Sequence, residues 1–227
     1  VFGKSRGAEL AGAAEFVEAY NSDPETDFHS LVAEMAGISR KQAKVVNLAM
    51  MYGMGVTKLS EQLDIPVDEA KTLIRQYHDR VPFVKGLQKG VINRLDSKSS
   101  SGSVRSILGR KCRFDTWEPD TFAMNKALPY REAVQEYGET TRLKRAYTYK
   151  ALNRLIQASA ADVTKKAMVD IYKTGRVPMI QIHDEIAMSV TGMEEAKEIS
   201  KIMVDAVPLC VPSKCDIEIG DSWGEAK

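Results

Sequence analysis

Two adjacent carboxylates and an imidazole stand together at His183, Asp184 and Glu185. Residues 178–190 show two short alternating runs around this polar centre, which predicts two strands with the three side chains at their turn. Carboxylate oxygens on a rigid strand end suit Mg²⁺, which binds through one or two carboxylates plus substrate phosphates. Nucleotidyl transfer uses two such ions about 3.5–4 Å apart. Ordinary turn chemistry between strands is the alternative for these residues alone.

Four side chains recur at every fourth position of a predicted helix: Arg40, Lys44, Leu48 and Tyr52. Each step of four residues advances about 400°, so the set stays near one helix face. The two cations, close to the positive helix start, could hold phosphates, and the apolar and aromatic residues could meet a sugar and base. The pattern predicts a nucleoside triphosphate lying along the helix. An amphipathic helix with a solvated basic start is the alternative.

A third polar group lies on a long predicted helix. Asn153 and Gln157 sit one turn apart, with Lys150 and Arg154 beside them. Amides can reach the acceptors that all base pairs present in a minor groove, while cations contact phosphates. This arrangement indicates DNA binding, and a solvated polar helix face is the alternative.

The elements that position these groups divide into two halves at a serine-rich loop over 97–103. The first half is predicted to be helical, with Ser39 as the N-cap of the basic helix and Gly53 and Gly55 beyond its end. The predicted helices are 8–20, 27–36, 39–52, 66–78 and 82–95.

The second half is mixed. A hairpin is predicted over 104–114 with its turn at Gly109, and 116–145 reads as irregular and polar. The later predicted elements are a helix over 147–173, the strand pair within 178–190, a helix over 194–207 and a strand over 214–219. Together the halves predict an α+β fold with a small antiparallel sheet.

Composition limits the functional classes. The 227 residues include 32 Lys+Arg and 31 Asp+Glu, a net charge of +1, so any contact with nucleic acid must depend on local basic groups. The scattered cysteines (Cys112, Cys210, Cys215) lack the spacing of a zinc site and indicate reduced thiols. No apolar run approaches the roughly 18 residues of a membrane span, and no signal peptide begins the sequence. A cytoplasmic protein without membrane association is expected. Because the sequence begins with Val1 rather than Met, we expect a processed, trimmed or partial chain.

In this order, the three groups resemble the pattern of family A (DNA polymerase I-like) DNA polymerases. Residues 40–53 match the fingers motif of Arg, three residues, Lys, seven residues and Tyr-Gly. Residues 181–185 resemble the palm motif with a catalytic aspartate, and 151–162 resemble the helix between them. Segments 27–30 and 108–111 match flanking regions. The resemblance covers essentially the whole chain and indicates a carboxy-terminal portion of phage type.

The resemblance implies a mostly helical fingers subdomain over 1–97 and part of a palm over 98–227. The thumb, the first palm strand and any exonuclease would lie outside this chain. The implied activity is template-directed DNA synthesis, in which a nucleotidyl group passes from a dNTP to a primer 3′ hydroxyl and pyrophosphate leaves, by a mechanism that uses two Mg²⁺ ions. The implied partners are primer-template DNA, a dNTP and an N-terminal polymerase fragment, in the host cytoplasm if the gene belongs to a phage.

The resemblance also implies roles for residues. Arg40 and Lys44 would contact the incoming triphosphate, with Lys44 as general acid for pyrophosphate departure. Tyr52 and Leu48 would shape the nucleotide pocket, and His29 would lie near the phosphates.

For DNA and metal, Asp184 would be a catalytic metal ligand with Glu185 beside it, and His183 would lie near the primer terminus. Asn153 and Gln157 would contact the minor groove of the template-primer, with Arg154 next to them.

Two departures from the family pattern stand out. Leu48 occupies a position that is often Phe or Tyr, which predicts altered sugar discrimination or slower incorporation. The family's first metal aspartate lies in an Asp-x-Ser-x-x-Glu-like strand upstream of the fingers, and no residue from 1 to 20 is Asp. The isolated chain is therefore expected to be nearly inactive, either as an excised piece or as one part of a split enzyme.

Two other functions stay open. Single-subunit RNA polymerases share a similar helix and hairpin, although Glu185 directly after Asp184 is more like the DNA enzymes. A non-catalytic DNA-binding or assembly subunit is the other, against which the intact set of Arg40, Lys44, Tyr52 and Asp184 argues.

Overall fold

The first part of the chain is helical in the computed structural model, which describes residues 10, 12–23, 25–96 and 100–226. Its described helices are α1 (Ala13–Ser22), α2 (Phe28–Ala36), α3 (Arg40–Tyr52), α4 (Val56–Leu63), α5 (Val67–Arg80) and α6 (Pro82–Asp96). The start of the helix predicted over 8–20 and residues 97–99 of the predicted loop lie outside the described residues. α1 begins directly after Gly12.

Local signals at both ends define α3. Ser39 Oγ accepts from the Gln42 backbone N–H at 3.2 Å, and Gln42 Oε1 accepts from the Ser39 N–H at 3.1 Å. This capping box satisfies amide donors that a helix start leaves unpaired. Gly53, with φ 66°, ends the helix in the left-handed conformation that glycine adopts without steric cost. The predicted helix is confirmed, with Arg40 in its first turn.

The second part combines helices with short strands. Its described elements are β1 (Ser103–Arg105), β2 (Lys111–Arg113), β3 (Thr116–Pro119), β4 (Leu128–Pro129), α7 (Tyr130–Tyr137), β5 (Leu143–Arg145), a 3-10 turn (Thr148–Lys150), α8 (Ala151–Lys173), β6 (Ile180–Ile182), β7 (Glu185–Ala187) and α9 (Met193–Asp205). The strands form three antiparallel sheets, β1–β2, β4–β3–β5 and β6–β7. The predicted α+β class is confirmed. No helix in the described part of the chain has the length and apolarity that crossing a membrane requires.

Two hydrophobic clusters hold these elements together. The first is formed by residues from all six helices, α1 to α6, and contains the fully buried Leu59 and Tyr77. The second joins α6, β1 and α8 through residues such as Val91, Val104 and Leu155. Met51, near the end of α3, packs against both clusters. α3 is thereby fixed between the two halves, and its outer face is left for solvent.

The secondary structure differs from the prediction in several segments. Segment 116–145 is not irregular, because β3 pairs with both β4 and β5, and α7 follows β4 directly. These strands have four residues at most, and the pairing of Trp117 with Arg145, 28 positions along the chain, leaves no local signature. α4 was missed because its N-cap is Gly55, which has no side chain to cap the helix and is typical of a loop.

The predicted strand over 214–219 is also wrong. Its alternating residues have the strand period, but among the described residues no strand edge pairs with them. The segment instead contacts α9 and the connection between α1 and α2. Ser200 Oγ on α9 donates to the Cys215 carbonyl at 3.2 Å, and Lys214 forms an ion pair with Glu25 at 2.8 Å. α8 likewise begins at Ala151 rather than 147, because a 3-10 turn precedes it.

Candidate active site

The four-residue stripe predicted on α3 faces solvent. Arg40, Lys44, Leu48 and Tyr52 are all exposed, and Leu48 and Tyr52 keep 40% and 42% of their surface accessible. The opposite face of the helix is buried through Ala43, Val46, Asn47, Ala49 and Met50. Since that face is fixed in the first hydrophobic cluster, the helix presents two cations, an aliphatic side chain and an aromatic ring as one continuous outer surface.

Arg40 is oriented by a carboxylate from the preceding helix start. Its Nε lies 2.7 Å from Asp27 Oδ2, and Asp27 also caps α2 by accepting from the backbone N–H groups of His29 and Ser30. Hydrogen bonds from Ser30 and Arg40 hold the pKa of the Asp27 carboxyl well below its usual value. Because the Arg40 side chain is still 61% exposed, its remaining N–H groups can reach an anion in solution.

His29 is oriented by an amide that the sequence analysis missed. Asn47 Nδ2 lies 2.9 Å from His29 Nδ1, and Asn47 is only 2% exposed. When Asn47 donates, Nδ1 is the acceptor and the ring proton resides on Nε2. The signal was present in the sequence, since Asn47 is the single polar member of the buried set 43, 46, 47 and 50 on α3.

Tyr52 and Gln157, from opposite halves of the chain, lie in contact. Gln157 Nε2 on α8 donates to the Tyr52 hydroxyl at 3.3 Å. The end of α3 also approaches the backbone before α8, because a Cβ placed on Gly53 would lie 3.0 Å from the Tyr149 carbonyl oxygen. The residue predicted to shape the nucleotide pocket therefore touches one predicted to contact DNA.

The two other predicted DNA-contacting residues of α8 have different surroundings. Arg154 is exposed, and its guanidinium carbon lies 5.2 Å from the centre of the Phe114 ring. Asn153 is half-buried, and its Oδ1 is buried without a hydrogen-bond partner among the described residues. Of the polar residues predicted on this helix, Gln157 is the one with a hydrogen bond to α3 in the described part of the chain.

An ion pair between the exposed Arg110 and the buried Asp162 fixes the β1–β2 hairpin against α8. Arg110 lies within 2.7 Å of Asp162 Oδ1, and its Nη2 donates to the Ala158 carbonyl at 2.8 Å. Burial of the Asp162 carboxyl acts to raise its pKa. Hydrogen bonds from Ser106, the Leu108 backbone and Arg110 outweigh burial and lower the pKa below its usual value. The pair sets the position of the helix that carries Gln157.

The predicted strand pair with His183 and Asp184 at its tip is confirmed. Ile182 pairs with Glu185, so two residues make the turn, and His183 adopts a left-handed φ of 53°. His183, Asp184 and Glu185 are all exposed. The Glu185 carboxylate accepts a 3.0 Å hydrogen bond from the indole of Trp223, a contact that the sequence analysis also missed. No hydrogen bond or ion pair within the described residues joins this tip to α3.

The tip offers two hard oxygen donors to a metal. In the described part of the chain, no group of three His, Cys, Asp or Glu side chains is arranged to hold a metal ion. Mg²⁺ does not need such a group, because it binds through one or two carboxylates and completes its shell with water and phosphates. Asp184 and Glu185 therefore fit Mg²⁺ as part of a ligand set.

Comparison with known proteins places this geometry in a family. The family model described as DNA polymerase family A matches residues 7–225. This chain belongs to DNA polymerase family A. The match covers α3, α8 and the β6–β7 hairpin alike, and the α+β fold corresponds to the fingers and palm region of family A polymerases.

Individual family A relatives support the same assignment. The chain is 34% identical to a DNA-directed DNA polymerase of Pseudomonas phage M6 over 248 residues, which covers 94% of the chain and 33% of the relative. It is 30% identical to a thermostable DNA polymerase I of Thermus caldophilus, covering 84% of the chain and 21% of the relative.

A solved family A structure is also similar. It is the POL domain of Pol1 from M. smegmatis in complex with DNA primer-template and dNTP, with a TM-score of 0.66 and 28% identity over 90% of this chain and 35% of that one. The chain thus spans about a third or less of the length of each of these relatives.

Proposed function

We propose that this chain supplies the nucleotide-binding helix and one side of the metal centre for template-directed DNA synthesis. The reaction would be nucleotidyl transfer from a dNTP to a primer 3′ hydroxyl. The observation that carries the proposal is the exposed stripe of α3 joined to α8 through Tyr52 and Gln157, in a family A chain. The proposed boundaries are a fingers unit over 1–97 and a palm portion over 98–227.

The stripe on α3 would hold the nucleotide. Arg40 would grip the triphosphate with the N–H groups that Asp27 does not occupy, and Lys44, one turn further on, would act as a point charge. Lys44 is also the proposed proton donor to the departing pyrophosphate. His29 would offer its Nε2 proton to a phosphate oxygen, with its ring held by Asn47. Leu48 and Tyr52 would meet the sugar and the base.

The DNA would lie between α8 and the hairpin tip. Gln157 and Asn153 would reach minor-groove acceptors and Arg154 a phosphate, while His183 would lie near the primer terminus. A relative's structure holds DNA primer-template and dNTP, which supports the same pair of ligands for this chain.

Asp184 and Glu185 would hold Mg²⁺ at the tip. When bound there, the metal would stabilise the charge of the transferred nucleotidyl group and would lower the pKa of the attacking hydroxyl. A second ligand aspartate is proposed to come from an N-terminal polymerase fragment, which would share two ions with this chain.

Single substitutions in a polymerase that contains this chain and the upstream aspartate test the proposal. Asp184→Asn should abolish primer extension and leave DNA binding intact. Lys44→Ala should slow extension by at least about 100-fold, because it removes both a charge contact and a proton donor. Lys58→Ala, an exposed lysine on α4, is the matched control and should retain normal extension.

Nucleotide preference separates the alternatives. Extension with dNTPs should greatly exceed extension with rNTPs, and the reverse would favour the RNA polymerase alternative. Unchanged extension by Asp184→Asn would show that the chain is a non-catalytic binding subunit.

A further inference from the structure

The turn over residues 220–226, called the C-terminal turn below, reaches the hairpin tip through the side chain of Trp223. The indole Nε1 of Trp223 donates to Glu185 Oε1 at 3.0 Å, across 38 positions of sequence. Among the described residues, no other hydrogen bond or ion pair reaches the Glu185 carboxylate. Since Glu185 is exposed on a three-residue strand, Trp223 is the contact that restricts its orientation.

The backbone around Trp223 forms a tight turn, which fixes the point from which the indole extends. The Ser222 carbonyl oxygen accepts hydrogen bonds from the backbone N–H groups of Glu225 and Ala226 at 3.0 and 3.1 Å. The turn folds back so tightly that a Cβ on Gly220 would lie 2.5 Å from the Glu225 carbonyl carbon. Such a distance is below any normal contact, so the turn requires glycine at this position.

The chemistry of the donor suits a metal ligand. An indole N–H is a neutral donor and never an acceptor, so it orients a carboxylate without cancelling its charge. A lysine or arginine in its place would compete with a cation. The bond occupies Oε1 and leaves Oε2 of Glu185 available as a hard oxygen donor next to Asp184. Partners of this kind, which hold a metal ligand in place, typically strengthen metal binding.

We infer that Trp223 is a positioning residue that holds the Glu185 carboxylate for a divalent cation bound at Asp184 and Glu185. This inference rests on the proposed function, because it assumes a cation at the hairpin tip. The inference also goes beyond the proposed function, since it assigns a role in the metal centre to the C-terminal turn.

Indole NMR of the 227-residue chain tests the contact directly. The chain has two tryptophans, so Trp117→Phe leaves the Trp223 indole as the single N–H signal of its type. Glu185→Ala should shift that signal upfield, because the hydrogen bond to the carboxylate is lost. Added Mg²⁺ should shift the Trp223 indole signal in the Trp117→Phe chain. The same addition should leave the signal unmoved in the double variant Trp117→Phe, Asp184→Asn. A side chain that merely covers the hairpin would not respond to the cation.

Mn²⁺ affinity, measured from the paramagnetic resonance of the unbound ion, tests the positioning role. Trp223→Phe retains the ring but removes the N–H, and should weaken Mn²⁺ binding by about tenfold. Gly220→Ala keeps the indole but displaces the turn, and should weaken binding in the same direction. Trp117→Phe is the control and should bind Mn²⁺ as the unaltered chain does, because Trp117 contacts Arg145 and Tyr130 instead.

The outcomes separate this inference from the proposed function. Unaltered Mn²⁺ affinity in both Trp223→Phe and Gly220→Ala, or an indole signal that Glu185→Ala leaves in place, overturns the role of Trp223. If Asp184→Asn meanwhile abolishes primer extension, the polymerase proposal still stands. If Asp184→Asn leaves extension intact, the polymerase proposal fails whatever the indole signal does.

Discussion

The side-chain amide of Gln157 donates to the hydroxyl of Tyr52 across 105 positions of sequence, at 3.3 Å. This bond joins α8 to the last turn of α3, next to the point where Gly53 approaches the Tyr149 carbonyl. Both partners are exposed, and each is proposed to bind a different ligand, the nascent base pair and the minor groove. The two proposed binding surfaces are thus in direct contact.

Deleting this bond from either side should weaken the contact between α3 and α8 without unfolding the chain. Gln157→Met and Tyr52→Phe should each lower the free energy of unfolding by about 0.5–1.5 kcal/mol, the usual range for one hydrogen bond. The double variant should lose no more than either single variant, because both remove the same interaction. Urea denaturation measures all three, with Tyr172→Phe, an exposed tyrosine of α8, as the control. Strictly additive losses would contradict a bond between the two side chains.

Replacement of Leu48 by an aromatic residue should change how the nucleotide sugar is selected. Leu48 is 40% exposed on the α3 stripe, where a flat ring could stack but an aliphatic chain cannot. In the longer polymerase, Leu48→Phe should alter the ratio of dideoxynucleotide to deoxynucleotide incorporation, or the incorporation rate, by roughly fivefold, which corresponds to about 1 kcal/mol. Val169→Phe, on an exposed position of α8, is the control and should change neither quantity. If Leu48→Phe also leaves both unchanged, the nucleotide does not lie against this position.

Local signals in the sequence were sufficient to predict α3 and the stripe of four residues on its outer face. Ser39, Gln42 and Gly53 act within one turn of the helix ends, and the four-residue spacing defines a face without any tertiary information. The alternating runs around Asp184 were sufficient for the β6–β7 hairpin for the same reason, because its two strands are separated by only two residues.

Contacts between distant segments could not be predicted from the sequence. Nothing near Trp223 indicates that it meets Glu185, and nothing near Tyr52 indicates Gln157. The strand predicted over 214–219 was wrong for the same reason. Its alternating period is correct for a strand, but a strand also needs a neighbouring edge, and that edge is a tertiary property.

The stability of the chain should fall in acid through Asp162. The pKa of this buried carboxyl is lowered in the folded chain, so its ionised form stabilises the fold above the unfolded pKa of about 3.9. That stability is lost as the pH falls from there through the lowered value. Asp162→Asn should therefore destabilise the chain by about 2 kcal/mol at neutral pH and flatten the acid part of the profile.

Urea denaturation from pH 7 down to the acid limit of folding measures this effect of Asp162. Asp68→Asn is the matched control, because the pKa of Asp68 is also lowered, by Lys71, but the pair is exposed. Exposed pairs contribute little, so this variant should follow the profile of the unaltered chain. Equal effects from the two substitutions would show that burial of the Asp162 carboxylate does not strengthen its ion pair with Arg110.

Two helix-ending glycines form a natural matched pair for testing the packing of α3 on the segment before α8. Gly37 and Gly53 have nearly the same backbone angles, with φ 67° and 66° and ψ 35° and 36°. A Cβ on Gly37 would meet nothing within 4 Å, whereas one on Gly53 would lie 3.0 Å from the Tyr149 carbonyl oxygen. Gly37→Ala should lower the free energy of unfolding by about 1 kcal/mol, the strain of a left-handed alanine.

Gly53→Ala should carry the same strain and lose roughly 1 kcal/mol more, because the carbonyl and the end of α3 must move apart. That movement should also separate Tyr52 from Gln157, so adding Gln157→Met to Gly53→Ala should cause little further loss. Adding Gln157→Met to Gly37→Ala should instead lower the free energy of unfolding by as much as Gln157→Met does alone. The reason is that Gly37 precedes the start of α3, whereas Tyr52 lies at its end. Equal destabilisation by the two alanines, measured by urea denaturation, would mean that the Tyr149 carbonyl gives way freely and does not fix the end of α3.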